Sequence, residues 1–194
     1  PQYPHAVASY AAAFARRYAG LVRWYTPLNE PLVNAELCGR RGAWPPYLRG
    51  PRGYARVLMQ LVRGIRATAA AIRAVDPAAV LVHVDAAAIV RAAVPDLEAV
   101  AHEGRLHNFL PYDLVLGRVT PDHPMYAGLV AQGVAPRELA RWADSPVPLD
   151  VMGLNFYPQW STQEFFHDAQ GRVASHPVQG GESGFAAMVA GYYA

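Results

Sequence analysis

The chain has 194 residues, 53% hydrophobic and 16% charged, which is enough apolar material for a packed core and too little charge for a disordered chain. Its net charge is only +2, and its 17 basic residues, all arginines, are spread along the chain, so there is no basic stripe for nucleic acid. A single cysteine, Cys38, excludes an internal disulfide and fits a cytoplasmic protein; no window approaches the roughly 18 apolar residues of a membrane span, and the start of the chain lacks the pattern of a signal peptide.

Residues 4–19 have Val7, Tyr10, Ala11, Phe14 and Tyr18 at helical spacing, with Pro4 near the start and Gly20 just past the end, and are predicted to form a helix. Residues 21–28, LVRWYTPL, read as a short buried strand. Pro27 inside it gives no ladder hydrogen bond and predicts a kink. A long loop rich in glycine, proline and aromatics follows. Over residues 52–75 one apolar stripe runs from Tyr54 through Val57, Leu58, Leu61, Val62, Ile65, Ala69 and Ile72 to Val75. Arg56, Arg63, Arg66 and Arg73 occupy the remaining face, and Asp76-Pro77 stops the helix.

Residues 79–86, AVLVHVDA, read as a second strand. Residues 95–143 are predicted to be irregularly helical, broken at LPYD, TPDHP and GVAP. A third strand falls within 148–158. A polar stretch then leads to a final helix from about Glu182, still amphipathic at Ala194, as expected of a segment cut at both ends. Strands separated by helices imply parallel pairing with crossover connections.

Polar residues gather at the C-terminal ends of all three strands: Asn29 and Glu30, His83 and Asp85, Asn155 and Tyr157. A closed (β/α)8 barrel builds its site from several such tips, whereas an open doubly wound sheet usually shows a glycine-rich phosphate turn after its first strand. None of the three strands has one. The expected architecture is therefore α/β, a partial TIM barrel of about three strands with flanking helices, forming one incomplete segment over 1–194.

Glu30 is the leading chemical candidate. Pro31 disfavours helical geometry at residue 30 and predicts an extended backbone that aims the carboxyl group. Asn29 beside it offers a donor and an acceptor to a sugar hydroxyl. A carboxylic acid held this way can protonate a leaving-group oxygen, as glycoside hydrolysis requires. The competing reading is a residue that caps the loop behind it. His-Glu in HEGRLH (102–107) lacks the i, i+4 histidine pair of a zinc helix, and no phosphate loop, nucleophile elbow or metal loop is present.

The segment YTPLNEP (25–31) resembles the acid/base segment of glycoside hydrolase family 1, the β-glucosidase family. GRRGAWPPYLRGP (39–51) resembles that family's loop after strand 4, and DVMGLNFYP (150–158) its strand 6 segment. The matches come in order, so the resemblance covers about strands 4 to 6 of an eight-stranded barrel. It implies a retaining O-glycosyl hydrolase acting on a β-linked glycoside or oligosaccharide, without cofactor or metal. Glu30 matches the general acid/base, Asn29 the ligand of the sugar 2-hydroxyl, Tyr157 the tyrosine that holds the nucleophile, and Asn155 a site asparagine. Asp85 stands where the family commonly has an asparagine; it fits a site carboxylate or a helix-start cap. His83 shares its parity. Phe156 replaces the first tyrosine of a pair. Trp44 and Trp160 lie on loops at the site end, suited to sugar stacking or to pinning their loops.

The resemblance also implies a nucleophile glutamate at the end of strand 7. Glu182 follows HPVQGG, which is no buried strand, and reads as the first turn of a helix. Glu36, Glu98, Glu103, Glu138 and Glu164 are expected in loops or helices. The nucleophile is therefore expected beyond residue 194, leaving the segment inactive by itself. Three other readings remain open: another barrel glycosidase with an Asn-Glu-Pro strand ending, of cellulase or galactanase type; a sugar-binding barrel without catalysis; and a plain metabolic α/β domain.

Overall fold

A computed structural model describes residues 2–192. Its elements, in order, are α1 (Tyr3–Arg17), β1 (Trp24–Tyr25), α2 (Pro31–Ala35), a π-helical turn (Glu36–Arg40), α3 (Gly50–Val75), β2 (Val80–Ala86), β3 (Ile89–Ala92), a 3-10 turn (Pro95–Leu97), α4 (Glu98–Val115), α5 (Tyr126–Ala131), α6 (Pro136–Asp144), β4 (Val151–Asn155), β5 (Thr162–His167), β6 (Val173–Pro177) and α7 (Glu182–Tyr192). The chain divides into two compact units, the first Pro1–Asp85 with Leu110–Gly153, the second Ala86–Phe109 with Leu154–Ala194.

The first unit is built on α3. The predicted stripe is its buried face: Tyr54, Leu58, Val62 and Ile65 pack with Leu110, Leu114, Val115, Leu139 and Trp142. Farther along, Ala69 and Ile72 meet Ala11 and Ala15 of α1, Tyr25 of β1 and Leu81 of β2. The arginine face is more than a solvated surface. Arg63 grips Glu138 of α6 with two bonds of 2.6 Å, Arg66 reaches the Val115 carbonyl at 2.6 Å, and Arg73 binds Asp150 at 2.9 Å. These contacts tie the far end of the unit back to its central helix.

The sheet of this unit has the order β1-β2-β4. Trp24 and Tyr25 pair in parallel with Val80 and Leu81. The predicted strand over 21–28 is thus far shorter than expected. Pro27 has no N–H to donate, so the ladder stops before it, and contact resumes only at the single parallel bridge Asn29 to Val84. The predicted break at LPYD does not occur: Pro111 lies inside α4, where burial of Phe109 and Leu110 just before it and of Leu114 and Val115 after it outweighs the lost helical hydrogen bond.

The second unit holds a sheet of order β3-β5-β6 that the sequence reading missed. β5 pairs in parallel with β3 and antiparallel with β6. The 159–181 stretch is therefore a hairpin rather than a polar linker. Asp168 builds its turn, with Oδ1 accepting the N–H groups of Gln170 and Arg172, both at 2.9 Å, and Gly171 supplies φ 72°. β6 is largely exposed, as its composition requires. Glu164 lies in β5, not in a loop or helix, and pairs with Arg91 of β3 at 3.0 Å. α7 begins at Glu182 as predicted; Ala194, the end of the expected amphipathic run, lies outside the described residues.

Candidate active site

Glu30 sits where β1 gives way to α2. Its backbone is left-handed, φ 52° and ψ 58°, not extended as Pro31 led us to expect. Pro31 disfavours the right-handed region at residue 30, and the chain must turn from a strand straight into a helix whose first residue is that proline. A left-handed residue makes this turn in one step. For a non-glycine side chain the conformation costs on the order of 1–3 kcal/mol and persists only where surroundings hold it.

Several contacts hold it. The Glu30 N–H donates to the Val84 carbonyl at 2.9 Å, and the Glu30 carbonyl accepts the Asn34 N–H at 3.0 Å. The Asn34 side-chain amide donates to the carbonyls of Glu30 at 2.8 Å and Asn29 at 3.1 Å. The Leu32 N–H lies 3.1 Å and 3.3 Å from the two carboxylate oxygens of Asp85. Glu30 itself is half-buried and Asn29 is exposed.

Along β2, Leu81, His83 and Asp85 are buried and alternate with half-buried Val80, Val82 and Val84. Leu81 packs among residues of α1 and α3, so this is the helix-facing side of the strand. Asp85, expected among the substrate-binding residues, is 2% exposed and caps α2 across from β2. The cap expected of Asp85 thus serves a helix that lies earlier in the chain. His83 is 1% exposed, with its ring 5.4 Å from that of Tyr112 and its Nε2 3.6 Å from Asp85 Oδ2.

The segment behind Glu30 is clamped to α3. Gly39 and Gly53 approach so closely that a Cβ on Gly53 would lie 2.2 Å from the Gly39 carbonyl oxygen. Glu36 pairs with Arg40 at 2.7 Å, and the Arg40 guanidinium lies 4.4 Å from the centre of the Tyr54 ring. Burial, then the Glu36 carboxylate, pushes the Tyr54 phenol far above the ordinary tyrosine range, with Asp85 adding to the rise and Arg40 opposing it. Pattern reading missed this supporting set of Asn34, Glu36, Arg40 and Tyr54. Asn34 alone carried a legible signal, an amide side chain four residues after Glu30, within reach across one helical turn.

Trp44 lies in the loop beyond, 49% exposed, with its backbone N–H donating to the Leu37 carbonyl at 3.2 Å. The remaining candidates belong to the second unit. Asn155 ends β4. Tyr157 is 50% exposed; its N–H donates to the Ser161 hydroxyl oxygen at 2.8 Å, while its carbonyl accepts the N–H groups of Trp160 at 2.8 Å and Ser161 at 2.7 Å. Trp160 is exposed, and the Phe156 ring packs tilted against that of Phe185, with ring centres 5.0 Å apart. Asn29, Glu30, His83 and Asp85 are thus brought together within the first unit, and Asn155, Tyr157 and Trp160 within the second. Among the described residues no cluster of three metal-ligating side chains occurs, and no helix is long and apolar enough to cross a membrane.

The fold is α/β, a partial TIM (β/α)8 barrel. It is similar to solved structures of a β-glucosidase from Thermotoga maritima. The family 1 β-glucosidase from that organism superposes with a TM-score of 0.70 at 18% identity, covering 92% of this chain and 39% of that one. Its complex with glucoimidazole gives 0.73 at 17%, covering 92% and 40%, and its complex with cyclophellitol gives 0.71 at 17%, covering 91% and 39%. At these identities the likeness establishes the fold. The chain spans 39–40% of the length of these structures. No protein-family model matches the sequence, and no curated protein matches it.

Proposed function

We propose that this chain is the central part, about strands 4 to 6, of a retaining β-glycosidase of the family 1 type, with Glu30 as its general acid/base. The observation that carries the reading is the backbone of Glu30: a glutamate at a parallel strand tip, held left-handed by bonds from the neighbouring strand. Such local strain collects at functional positions, and the likeness to β-glucosidase structures supplies the matching fold.

In this reading Glu30 protonates the oxygen of the departing aglycone and later takes a proton from the attacking water. A second carboxylate, about 5–5.5 Å away, forms and then releases the glycosyl intermediate. That nucleophile lies outside these 194 residues. Asn29 binds the sugar hydroxyl next to the reacting carbon; by the same family resemblance Asn155 is a sugar-binding asparagine and Tyr157 orients the nucleophile. Trp44 and Trp160 offer half-exposed faces for sugar stacking. The substrate is a β-linked glycoside or oligosaccharide, and no cofactor takes part.

The test is turnover of nitrophenyl β-glucoside. The complete protein is expected to hydrolyse it with retention of configuration, and the 194-residue chain alone to be inactive. Turnover by the isolated chain that Glu30→Gln abolishes would place the nucleophile within these residues. Sugar binding by the complete protein without turnover would identify a binding barrel instead.

A further inference from the structure

Pro31 has no N–H, so Leu32 carries the first amide after Glu30 that can be anchored. That amide meets the carboxylate of Asp85, at 3.1 Å and 3.3 Å from its two oxygens. Asp85 is 2% exposed, so water is poorly placed to replace the bond. One residue earlier on β2, the Val84 carbonyl takes the Glu30 N–H at 2.9 Å. Two successive residues of β2 therefore grip the chain on both sides of the left-handed turn. Behind the carboxylate, His83 Nε2 stands 3.6 Å from Asp85 Oδ2, on the same buried face.

We infer that Asp85 is a positioning residue for Glu30: by holding the Leu32 N–H from β2 it keeps residue 30 in its left-handed turn and so aims the acid. This rests on the reading of Glu30 as general acid/base. Removal of the acceptor leaves the part-buried Leu32 N–H without this partner and frees the start of α2 to relax, which moves the Glu30 side chain with the backbone. Asp85 touches no reacting atom in this role.

The consequence is selective. A misplaced general acid penalises a leaving group that must be protonated and spares one that departs as a stable anion. In the complete protein, kcat/KM is compared for methyl β-glucoside and 2,4-dinitrophenyl β-glucoside. General acid catalysis contributes about 10²- to 10⁴-fold; misalignment in Asp85→Ala is expected to lose about tenfold or more of this on the methyl glycoside and little on the dinitrophenyl one. Asp85→Asn keeps an oxygen for Leu32 and is expected to restore the wild-type ratio of the two substrates. Equal losses on both, or none, would overturn the inference, because a purely structural defect lowers both alike. If Asp85→Ala yields no folded protein, Asp85→Ser, too short to reach Leu32, is read the same way. Glu30→Gln is run alongside: if it fails to discriminate between the substrates, the general-acid reading falls and takes the inference with it. If it discriminates and the Asp85 variants do not, only the inference falls.

Discussion

The chain ends the first and third predicted strands with Glu30 and Tyr157, and the two positions are held by different means. At the first, Glu30 stands in a left-handed turn gripped by Val84 and Asp85 of another strand. At the second, the turn at Tyr157 is closed by bonds to Trp160 and Ser161, three and four residues on, and is anchored from outside by the Ile89 N–H on the Ser161 carbonyl at 2.9 Å and the Gly180 N–H on the Pro158 carbonyl at 3.0 Å. A turn closed mainly by bonds within a few residues takes its shape largely from its own segment. A turn closed from a strand more than fifty residues away exists only when the sheet and α3 are assembled. The backbone geometry of Glu30 is thus tied to the folding of the first unit, and that of Tyr157 is set mainly by its own segment.

The largest effect expected along this line is at Gly53. A Cβ there would strike the Gly39 carbonyl oxygen, so Gly53→Ala must push the segment after Glu30 away from α3. Overpacking of this kind costs about 3 kcal/mol. Denaturant unfolding should show that loss, and amide exchange should quicken at Leu32 and Asn34 while Ser161 is unaffected. Equal quickening at both tips would show that they are not independent.

Next comes Ser161→Ala, which removes the acceptor of the Tyr157 N–H. The residue is 4% exposed, so about 1–2 kcal/mol is expected. Exchange should rise at Tyr157 and not at Leu32, the reverse of the Gly53 variant.

A backbone comparison sharpens the contrast further. Glu30→Gly should be more stable than Glu30→Ala by about 1 kcal/mol, because glycine adopts positive φ without steric cost. Among the described residues, only Glu30 and Tyr47 are non-glycines with positive φ. At position 157 the order should therefore reverse, with Tyr157→Ala the more stable. Midpoints of urea unfolding decide both pairs.

The smallest effect concerns the exposed pair His167 and Asp96 in the second unit, 2.8 Å apart. The hydrogen bond to Asp96 raises the imidazole above its ordinary value, and the same bond lowers the carboxyl. The raised histidine stabilises fully below its ordinary value, and that contribution is lost as pH rises through the raised one. The lowered aspartate stabilises above its ordinary value and loses this as pH falls through the lowered one. The pair is therefore strongest between about pH 4 and 6.5, the ordinary values of the two groups. Asp96→Asn should return the His167 titration, followed by NMR, to the ordinary histidine range; an unchanged midpoint would contradict the assigned cause.

Legibility in the sequence followed the range of the deciding interactions. The α3 stripe was legible because helical periodicity is carried by residues three and four apart. The Pro27 interruption was legible because it follows from a missing N–H. The β5–β6 hairpin was missed although Asp168 and Gly171 mark its turn; the exposed, mixed composition of β6 masked the strand pattern. β3 is four residues long, too short for a periodic signal.

The sequence by itself determined the apolar face of the long helix and its stop at Asp76-Pro77, and the candidacy of Asn29, Glu30 and Tyr157 at strand ends, all of which rest on local patterns. Only the tertiary structure decided the left-handed backbone of Glu30 and the employment of Asp85. Pro31 disfavours one region of backbone space at residue 30 but does not choose among the rest. That choice is made by Val84 and Asp85, which meet the turn only once β1 and β2 lie side by side.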